Sequence, residues 1–208
     1  MASIAVIGAT GRTGRIIVDQ ALALGHRVTA IARRPGALSG VHPRLTPVGT
    51  DVQTPGSLHG MLDDHDLVVS ALGATGRGPT TVYSAGTGEI VAAMKPSGRL
   101  IVISSAGLGT PADAGAATRL LARGLHRLMR HTYADMTRME ELLADSDLTW
   151  TAVRPTRLTD RPAGGRPRTS IGATGRVGTQ TSRADLAAVI LDLIDDPRTH
   201  RTVVAVSS

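Results

Sequence analysis

A glycine-rich turn near the start of the chain constrains its fold more than any other feature. The apolar run 4–7 leads into Gly8-Ala9-Thr10-Gly11-Arg12-Thr13-Gly14, and a helical pattern follows over 15–22. In such a turn the first glycine permits a tight bend, the second lets backbone approach a pyrophosphate, and the third lets helix pack on strand. The first N–H groups of the helix then face the anion. An ordinary βα turn is the alternative, but the context favours a dinucleotide site formed by Gly8, Thr10, Gly11, Arg12, Thr13 and Gly14.

Strand-like and helix-like segments alternate along the rest of the chain, which is typical of a parallel sheet covered by helices on both faces. The predicted strands cover about 3–7, 27–32, 45–48, 66–72, 99–104, 149–153 and 202–206. The predicted helices cover about 13–24, 54–62, 81–94, 117–144 (with a break near His131 as an option) and 183–194. We therefore expect an α/β, doubly wound Rossmann fold with a parallel sheet of about seven strands. It forms a single domain over 1–208, with an irregular substrate-side insertion at about 155–182.

Composition narrows the class of partner. The net charge of +6 invites a nucleic-acid interpretation, but the basic residues are scattered and the only aromatic residues are Tyr83, Tyr133 and Trp150, too few for base stacking. Without cysteine there is no disulfide and no thiol nucleophile. No apolar run approaches the roughly 18 residues of a membrane span, and the first strand leaves no room for a signal peptide. We expect a cytoplasmic monomer or homodimer that acts on a small molecule, with neither nucleic acid nor membrane as a partner.

The end of the second predicted strand indicates which dinucleotide is bound. Arg33 and Arg34 lie there, and no acidic residue occurs between Asp19 and Asp51. A site selective for NAD(H) usually has a carboxylate at this place for the ribose hydroxyls. Guanidinium groups instead suit a 2′-phosphate, because they make bidentate, charge-assisted contacts. We therefore predict NADP(H) in preference to NAD(H), with Arg12 as a third contact and solvated arginines as the alternative.

The next two strand ends supply further candidates. Asp51 can accept a hydrogen bond from an adenine amino group while Val52 packs on the ring, although an ordinary turn aspartate is the alternative. Ala71, Leu72 and Gly73 are small or apolar residues that let backbone approach the ribose and pyrophosphate. Since ligands of doubly wound sheets bind beyond the carboxyl ends of the strands, these residues belong to the same predicted site.

Together these residues resemble the short-chain dehydrogenase/reductase superfamily, and more narrowly its atypical NmrA-like branch with the biliverdin-IX-beta reductase/flavin reductase group. The resemblance implies an NAD(P)-binding Rossmann fold, and either a reductase of flavins, quinones or small carbonyls or a regulator that binds NADP without obvious turnover. The matching segments occur in family order: Gly8–Gly14, Arg33–Pro35, Gly49–Asp51, Val69–Gly73, Ile103–Gly107, Glu140–Ser146, Leu148–Pro155 and Ser182–Ala187.

The chain departs from the superfamily in its catalytic centre. Active members commonly use a Tyr-x-x-x-Lys pair, in which the lysine lowers the pKa of the tyrosine that donates a proton. Counting back from Pro155, the resemblance puts the lysine position at Met136 and the tyrosine position at Thr132. Tyr133 is one residue out of register, about 100° around a helix. Tyr–Lys chemistry is therefore absent, unless the register shifts and Arg138 serves Tyr133.

Reduction remains available without that pair, because hydride can pass directly to a stacked acceptor while solvent supplies the proton. Ser104 and Ser105 follow the fifth predicted strand, near where a nicotinamide would lie, so Ser104 is a further cofactor-binding candidate, with turn-forming serines as the alternative. The resemblance implies that Ser105 lies beside the nicotinamide. We take Ser105 as the polar group that orients nicotinamide or substrate, and Tyr133 as a second, weaker catalytic candidate. The resemblance also brings the backbone near Pro155 to the nicotinamide. His126 and His131 are weaker proton donors, and no His, Asp or Glu spacing suggests a metal site.

Two functions follow from the sequence. The first is an NADPH-dependent reductase, for which the arginines of the insertion favour an anionic or flavin-like substrate: Arg157, Arg161, Arg166, Arg168 and Arg176. The second is a non-catalytic NADP(H)-binding sensor or regulator of NmrA type, which the missing Tyr–Lys pair motivates. A tailoring enzyme such as an epimerase or dehydratase stays open, because the fold hosts many chemistries.

Overall fold

The computed structural model describes residues 1–38, 42–76, 78–109, 116–173 and 177–208. Its strands are β1 Ser3–Ile7, β2 Arg27–Ala32, β3 Leu45–Gly49, β4 Leu67–Ser70, β5 Arg99–Ile103, β6 Thr149–Pro155, β7 Arg157–Thr159, β8 Arg168–Ile171, β9 Gln180–Ser182 and β10 Thr202–Ser207. Its α-helices are α1 Arg12–Ala23, α2 Val82–Ala93, α3 Ala116–Leu128, α4 Arg130–Asp145 and α5 Arg183–Asp192. Short 3-10 helices cover Pro35–Leu38, Ala106–Leu108 and Pro197–Thr199.

The main sheet has the predicted doubly wound topology. Within the described ranges seven strands run parallel in the order β3-β2-β1-β4-β5-β6-β10. The eighth, β8, extends the β10 edge in the antiparallel direction, and β7 pairs with β9 in a separate two-stranded ribbon. Strand order reverses between β1 and β4, which is where such sheets bind their ligands.

Helices cover both faces of the sheet, because alternate residues of the central strands point to opposite sides. Val6 of β1 packs in one core with Ile17 of α1, while the neighbouring Ile7 packs in a second core with Ile90 of α2. All four side chains are fully buried, and burial of each contributes roughly 1.5–3 kcal/mol relative to exposure. The continuous apolar strands of the sequence are thus explained by a sheet buried on both faces.

The predicted helix over 54–62 is wrong. The chain makes a series of turns there, with hydrogen bonds from Ser57 N–H to Thr54 O and from Met61 N–H to Leu58 O. Gly56 and Gly60 have φ angles of 78° and 69°, in the left-handed region that interrupts a right-handed helix. The carboxylate of Glu89 on α2 accepts from the N–H groups of Gly56 and Leu58. These N–H groups are therefore satisfied by a side chain of α2 and not by carbonyl groups within a helix.

Two other segments differ in detail from the sequence prediction. The long helix predicted over 117–144 is divided into α3 and α4 at Met129, two residues before His131. The insertion over 155–182 contains β7, β8 and β9. In the described part of the chain, no helix is long and apolar enough to cross a membrane.

Candidate functional site

A cleft with a volume of about 840 Å³ opens beyond the carboxyl ends of β1 to β5. The starts of α1 and α2 border it, together with Met136 of α4 and Leu158 of β7. The structure brings together in its lining most of the predicted cofactor residues: Gly8, Thr10, Gly11, Arg12, Thr13, Arg33, Arg34, Asp51, Val52, Ala71, Leu72, Gly73 and Ser104.

Backbone atoms pack closely around the glycines of the glycine-rich turn. Gly8 has a φ of +78°, and a Cβ there would lie 2.7 Å from the carbonyl oxygen of Ala71. Gly14 packs behind the turn and does not line the cleft. A Cβ there would lie 2.2 Å from the carbonyl oxygen of Gly8, so this position needs a glycine. Gly11, the N-cap of α1, has no side chain to cap the helix, and no other described side chain accepts from its first N–H groups. The positive end of the helix is therefore directed at the cleft without a competing protein acceptor.

Positive charge lines the same cleft. Arg33 and Arg34 are exposed at the end of β2, and neither guanidinium has a hydrogen bond or ion pair with another described residue. Arg12 and Arg183 both pair with Asp160, which follows β7, and the Arg183 contact measures 2.7 Å. Burial, and then the nearby charge of Arg12, lowers the pKa of Arg183. An anion entering the cleft thus meets four guanidinium groups, two of which are already paired with Asp160, and the carboxylate of Asp51.

The predicted adenine contacts have partners of their own. One carboxylate oxygen of Asp51 accepts from the N–H of Gln53 at 3.1 Å, so this side chain also closes its own turn. Val52 is buried, and its methyl group lies 3.3 Å from where a Cβ of Gly86 on α2 would be. Both residues line the cleft, and only part of the Val52 surface faces it.

Tyr83, at the start of α2, supplies a phenol to the cleft. Its hydroxyl accepts from the N–H of Ala74 at 3.2 Å, which ties the loop after β4 to the helix. Burial raises the pKa of Tyr83 above its ordinary value, so the hydroxyl keeps its proton at neutral pH. No sequence motif predicts a role for Tyr83 at the site.

A hydrogen-bond network closes the end of the cleft beside β5 and β6. Ser104 is nearly fully buried, and its hydroxyl donates to Glu140 of α4 at 2.6 Å. Arg154 of β6 donates from Nε to the same carboxylate oxygen at 3.0 Å and from Nη2 to the other oxygen. The Ser104 hydroxyl therefore has a fixed orientation, with its proton directed at a protein acceptor.

The predicted catalytic residues lie outside the cleft lining. Ser105 begins the 3-10 helix Ala106–Leu108, where its Oγ accepts from the N–H of Gly107 at 3.1 Å. Tyr133 is buried on α4 with its hydroxyl against Gly107, and the ring of His126 meets it edge-on with centroids 5.0 Å apart. Pro155 is also buried, in β6 beside β10.

The positions that the family resemblance gives to tyrosine and lysine carry Thr132 and Met136. Thr132 is buried, and Met136 lines the cleft. Arg138 pairs with Asp135 at 3.2 Å, and Lys95 pairs with Asp63 beyond the far end of α2. The described side chains therefore place no Tyr–Lys pair in the cleft. The part of the chain that is described also contains no cluster of His, Cys, Asp or Glu that could hold a metal ion.

Comparison with known proteins identifies the class. The chain belongs to the NAD(P)H-binding family, whose model matches residues 8–197. Its fold is similar to that of a short-chain dehydrogenase/reductase from Veillonella parvula in complex with NADP, with 20% identity, a TM-score of 0.78 and coverage of 100% of this chain and 95% of that one. A proposed NADH-flavin reductase from Streptococcus pneumoniae matches with 23% identity, a TM-score of 0.73 and full coverage of both chains. The family match and the shared fold agree with the NAD(P)-binding Rossmann fold that the resemblance in the sequence implies.

Sequence reasoning missed Tyr83, Arg183 and Leu158 as members of the cleft. Arg183 stands in one of the segments that carry the family resemblance, and its position beside the helix-capping Ser182 was a usable signal. Tyr83 and Leu158 had no such signal, because they reach the cleft through the packing of α2 and of the ribbon β7–β9.

Proposed function

We propose that the protein is an NADPH-dependent oxidoreductase that transfers hydride to a flavin, a quinone or another conjugated carbonyl compound. The observation that carries this proposal is that Arg33 and Arg34 line the cleft with no guanidinium partner among the described residues, beside a glycine-rich turn at a helix N-terminus. Membership of the NAD(P)H-binding family and the likeness to a proposed NADH-flavin reductase support it. We further propose a cytoplasmic monomer or homodimer acting on a small molecule.

The lining of the cleft suits a nicotinamide adenine dinucleotide phosphate. Gly8 and Gly11 line the cleft and carry no side chain, so their backbone can approach a pyrophosphate. The uncapped N-terminus of α1 would hold the same group. Arg33 and Arg34 would hold the 2′-phosphate by bidentate contacts, which favours NADP(H) over NAD(H).

The cofactor, when bound, supplies the hydride, and the chain binds and orients the reactants. Ser104 is held at the cleft by its hydrogen bond to Glu140. Ser105, which caps the following 3-10 helix, would be the hydroxyl that orients the nicotinamide or the substrate. Tyr83 can donate its hydroxyl proton to a substrate oxygen, and solvent is the alternative proton source in this open cleft. Met136 adds an apolar surface where a lysine would stand.

A non-catalytic NADP(H) sensor of NmrA type is the second candidate. Thr132 and Met136, at the tyrosine and lysine positions, are the observation that favours it. A sensor must bind NADP⁺ and NADPH with different affinities, since equal affinities would give it no thermodynamic response to redox state.

The test is the loss of absorbance at 340 nm with NADPH or NADH and a panel of FMN, FAD, riboflavin and simple quinones. We expect turnover with NADPH and at least one acceptor. In R33A/R34A the NADPH affinity should fall by about 1.5 kcal/mol or more, roughly tenfold, whereas NADH affinity changes little. The control R27A/R123A removes two exposed arginines elsewhere and should leave both affinities unchanged.

Two further variants examine the proton and orientation roles in the same assay. Y83F and S105A should lower kcat while NADPH binding is largely retained. Unchanged turnover in both variants would contradict the roles given to these hydroxyls. Absence of turnover with every acceptor, together with NADPH binding and unequal NADP⁺ and NADPH affinities, would favour the sensor. Equal weakening of NADPH and NADH in R33A/R34A would refute the 2′-phosphate assignment.

A further inference from the structure

A second groove, with a volume of about 610 Å³, lies outside the ribbon β7–β9. It is bounded by the loop after β7, by β8, by β9 and by the end of β10. Its described lining consists of small, hydroxylated and basic residues: Thr159, Arg161, Pro162, Gly164, Arg166, Arg168, Gly178, Thr179, Gln180, Ser182 and Ser208.

Three exposed guanidiniums share this groove, and none of them has a partner among the described residues. Arg161, Arg166 and Arg168 make no side-chain hydrogen bond or ion pair with any described residue, and no Asp or Glu side chain is in the lining. Other exposed arginines behave differently, for example Arg198, whose guanidinium pairs with Asp196 at 2.8 Å. Three like charges around one concavity repel each other, and an anion in the groove would relieve that repulsion.

The walls of the groove are fixed by hydrogen bonds. The N–H of Gly164 donates to both oxygens of the buried Asp185 at 3.0 Å, and the N–H of Gly178 donates to Ser207 Oγ at 2.7 Å. The N–H of Ser182 donates to Ser208 Oγ at 2.7 Å. Because backbone on both sides is tied down, the concavity exists before any ligand arrives, which lowers the entropy cost of binding.

Gln180, which lines the groove, carries an acceptor that no described residue uses. Gln180 Oε1 is buried and has no hydrogen-bond partner among the described residues. A buried carbonyl oxygen of this kind costs free energy unless a donor reaches it. A ligand with a hydroxyl or protonated group beside its anionic group would satisfy both Gln180 and the arginines.

The groove is distinct from the cofactor cleft. Leu158 of β7 and Arg183 of α5 line the cleft, whereas their chain neighbours Thr159 and Ser182 line the groove. Successive side chains of a strand point to opposite faces, so the ribbon β7–β9 forms a wall between the two cavities. Arg157 belongs to neither lining and Arg176 lies outside the described residues, so none of the described arginines of the insertion lines the cleft.

We propose that this second groove is a binding site for a small oxyanion, a phosphoryl or carboxylate compound of at least two negative charges that also carries a hydroxyl group. Arg161, Arg166 and Arg168 hold its oxygens by charge-assisted hydrogen bonds, and Gln180 accepts from its hydroxyl. This inference goes beyond the oxidoreductase proposed above, and it does not depend on cofactor binding.

The experiment is calorimetric titration of the full chain with inorganic pyrophosphate as phosphoryl probe and with citrate, a hydroxy-tricarboxylate, as carboxylate probe. We expect at least one probe to bind, and R161A/R166A/R168A to weaken that binding at least tenfold. The control R27A/R123A/R127A removes the same charge from exposed positions outside the groove and should bind as the wild type does. R33A/R34A should also bind the probe in the groove, since Arg33 and Arg34 line the cleft and not the groove.

Q180E provides a second variant that keeps all three arginines. Its carboxylate should pair with them and weaken the probe at least tenfold, so the proposal stays testable if the triple variant folds poorly. Binding of neither probe by the wild type, or equal weakening in the groove variant and the three-arginine control, would overturn the proposal. Failure of NADPH to bind would reject the proposed oxidoreductase and leave this comparison of variants unaffected.

Discussion

At the scale of single residues, the candidate site depends on glycines that differ in what surrounds them. Gly14 in α1 stands against the backbone of Gly8, whereas Gly88 in α2 has no atom within 4 Å of where a Cβ would be. Both positions are helical and neither has a positive φ. The same substitution therefore has opposite expected effects at the two positions.

Gly14→Ala should destabilise the protein by roughly 1–3 kcal/mol, because its methyl group would lie 2.2 Å from the carbonyl oxygen of Gly8 and force the turn to shift. Gly88→Ala should instead stabilise by about 0.5–1 kcal/mol through the lower entropy of the unfolded chain. Urea unfolding of both variants measures the difference, and NADPH titration should show weaker binding only for Gly14→Ala. Similar stability of the two variants would contradict this account of the turn.

At the residue scale, the structure brings together predicted residues whose signal is local in the sequence. The turn Gly8–Gly14 and the arginines that follow β2 lie within short segments, and all of these except Ala9 and Gly14 line the cleft. Ser105 and Tyr133 were assigned roles through the family resemblance, and the structure places both beside Gly107 instead of in the lining. Tyr83 could not be found from sequence, because its place depends on how α2 packs.

At the scale of elements, α2 is capped chiefly from another helix. From its own segment, Thr80 Oγ1 accepts from the N–H of Val82 at 3.3 Å. Thr81, at its N-cap, makes no side-chain capping bond. Asp135 of α4 takes that role: its carboxylate accepts from the N–H groups of Tyr83 and Ser84, at 3.0 Å and 3.4 Å, and from the Ser84 hydroxyl. Asp135 is fully buried, so these contacts fix α2 against α4 and hold Tyr83 at the cleft.

Asp135→Ala should destabilise the protein by roughly 3 kcal/mol, because buried N–H donors and a hydroxyl lose a charged acceptor. Asp145→Ala is the matched control: it removes an exposed carboxylate from the same helix and should change stability by no more than about 0.5 kcal/mol. Thermal or urea unfolding gives both values. A loss for Asp135→Ala as small as that of the control would show that α2 needs no cap from α4.

Element-level prediction failed where tertiary contacts outweigh local pattern. Thr54 and Pro55 read as a helix start, yet Glu89 of α2 takes the N–H groups of Gly56 and Leu58 and holds the segment in turns. The ribbon β7–β9 was equally hidden, since strands of three residues in a Pro- and Gly-rich segment carry too little periodicity. The seven strands of the parallel sheet have a strong apolar pattern or a clear turn beside them, and their predicted bounds lie within a few residues of the observed ones.

At the scale of the whole molecule, the insertion is tied to the first turn of the fold across the cleft. Asp160, just after β7, pairs with Arg12 of α1 and with Arg183 of α5. Both Arg12 and Asp160 are more than half exposed, so these pairs contribute little to stability in water. Their larger consequence concerns binding, because Asp160 competes with any phosphate for two guanidiniums of the cleft.

Asp160→Asn should therefore bind NADPH more tightly, by up to about fivefold or about 1 kcal/mol, since Arg12 and Arg183 are released from a carboxylate. The affinity should also fall more steeply with added salt, because more guanidinium charge faces the ligand. Asp196→Asn is the control: it breaks an exposed pair with Arg198 that lies outside the cleft, and NADPH affinity should not change. Fluorescence titration at two salt concentrations measures both variants. Equal affinities of Asp160→Asn and wild type at low salt would show that the bridge across the cleft does not oppose the cofactor.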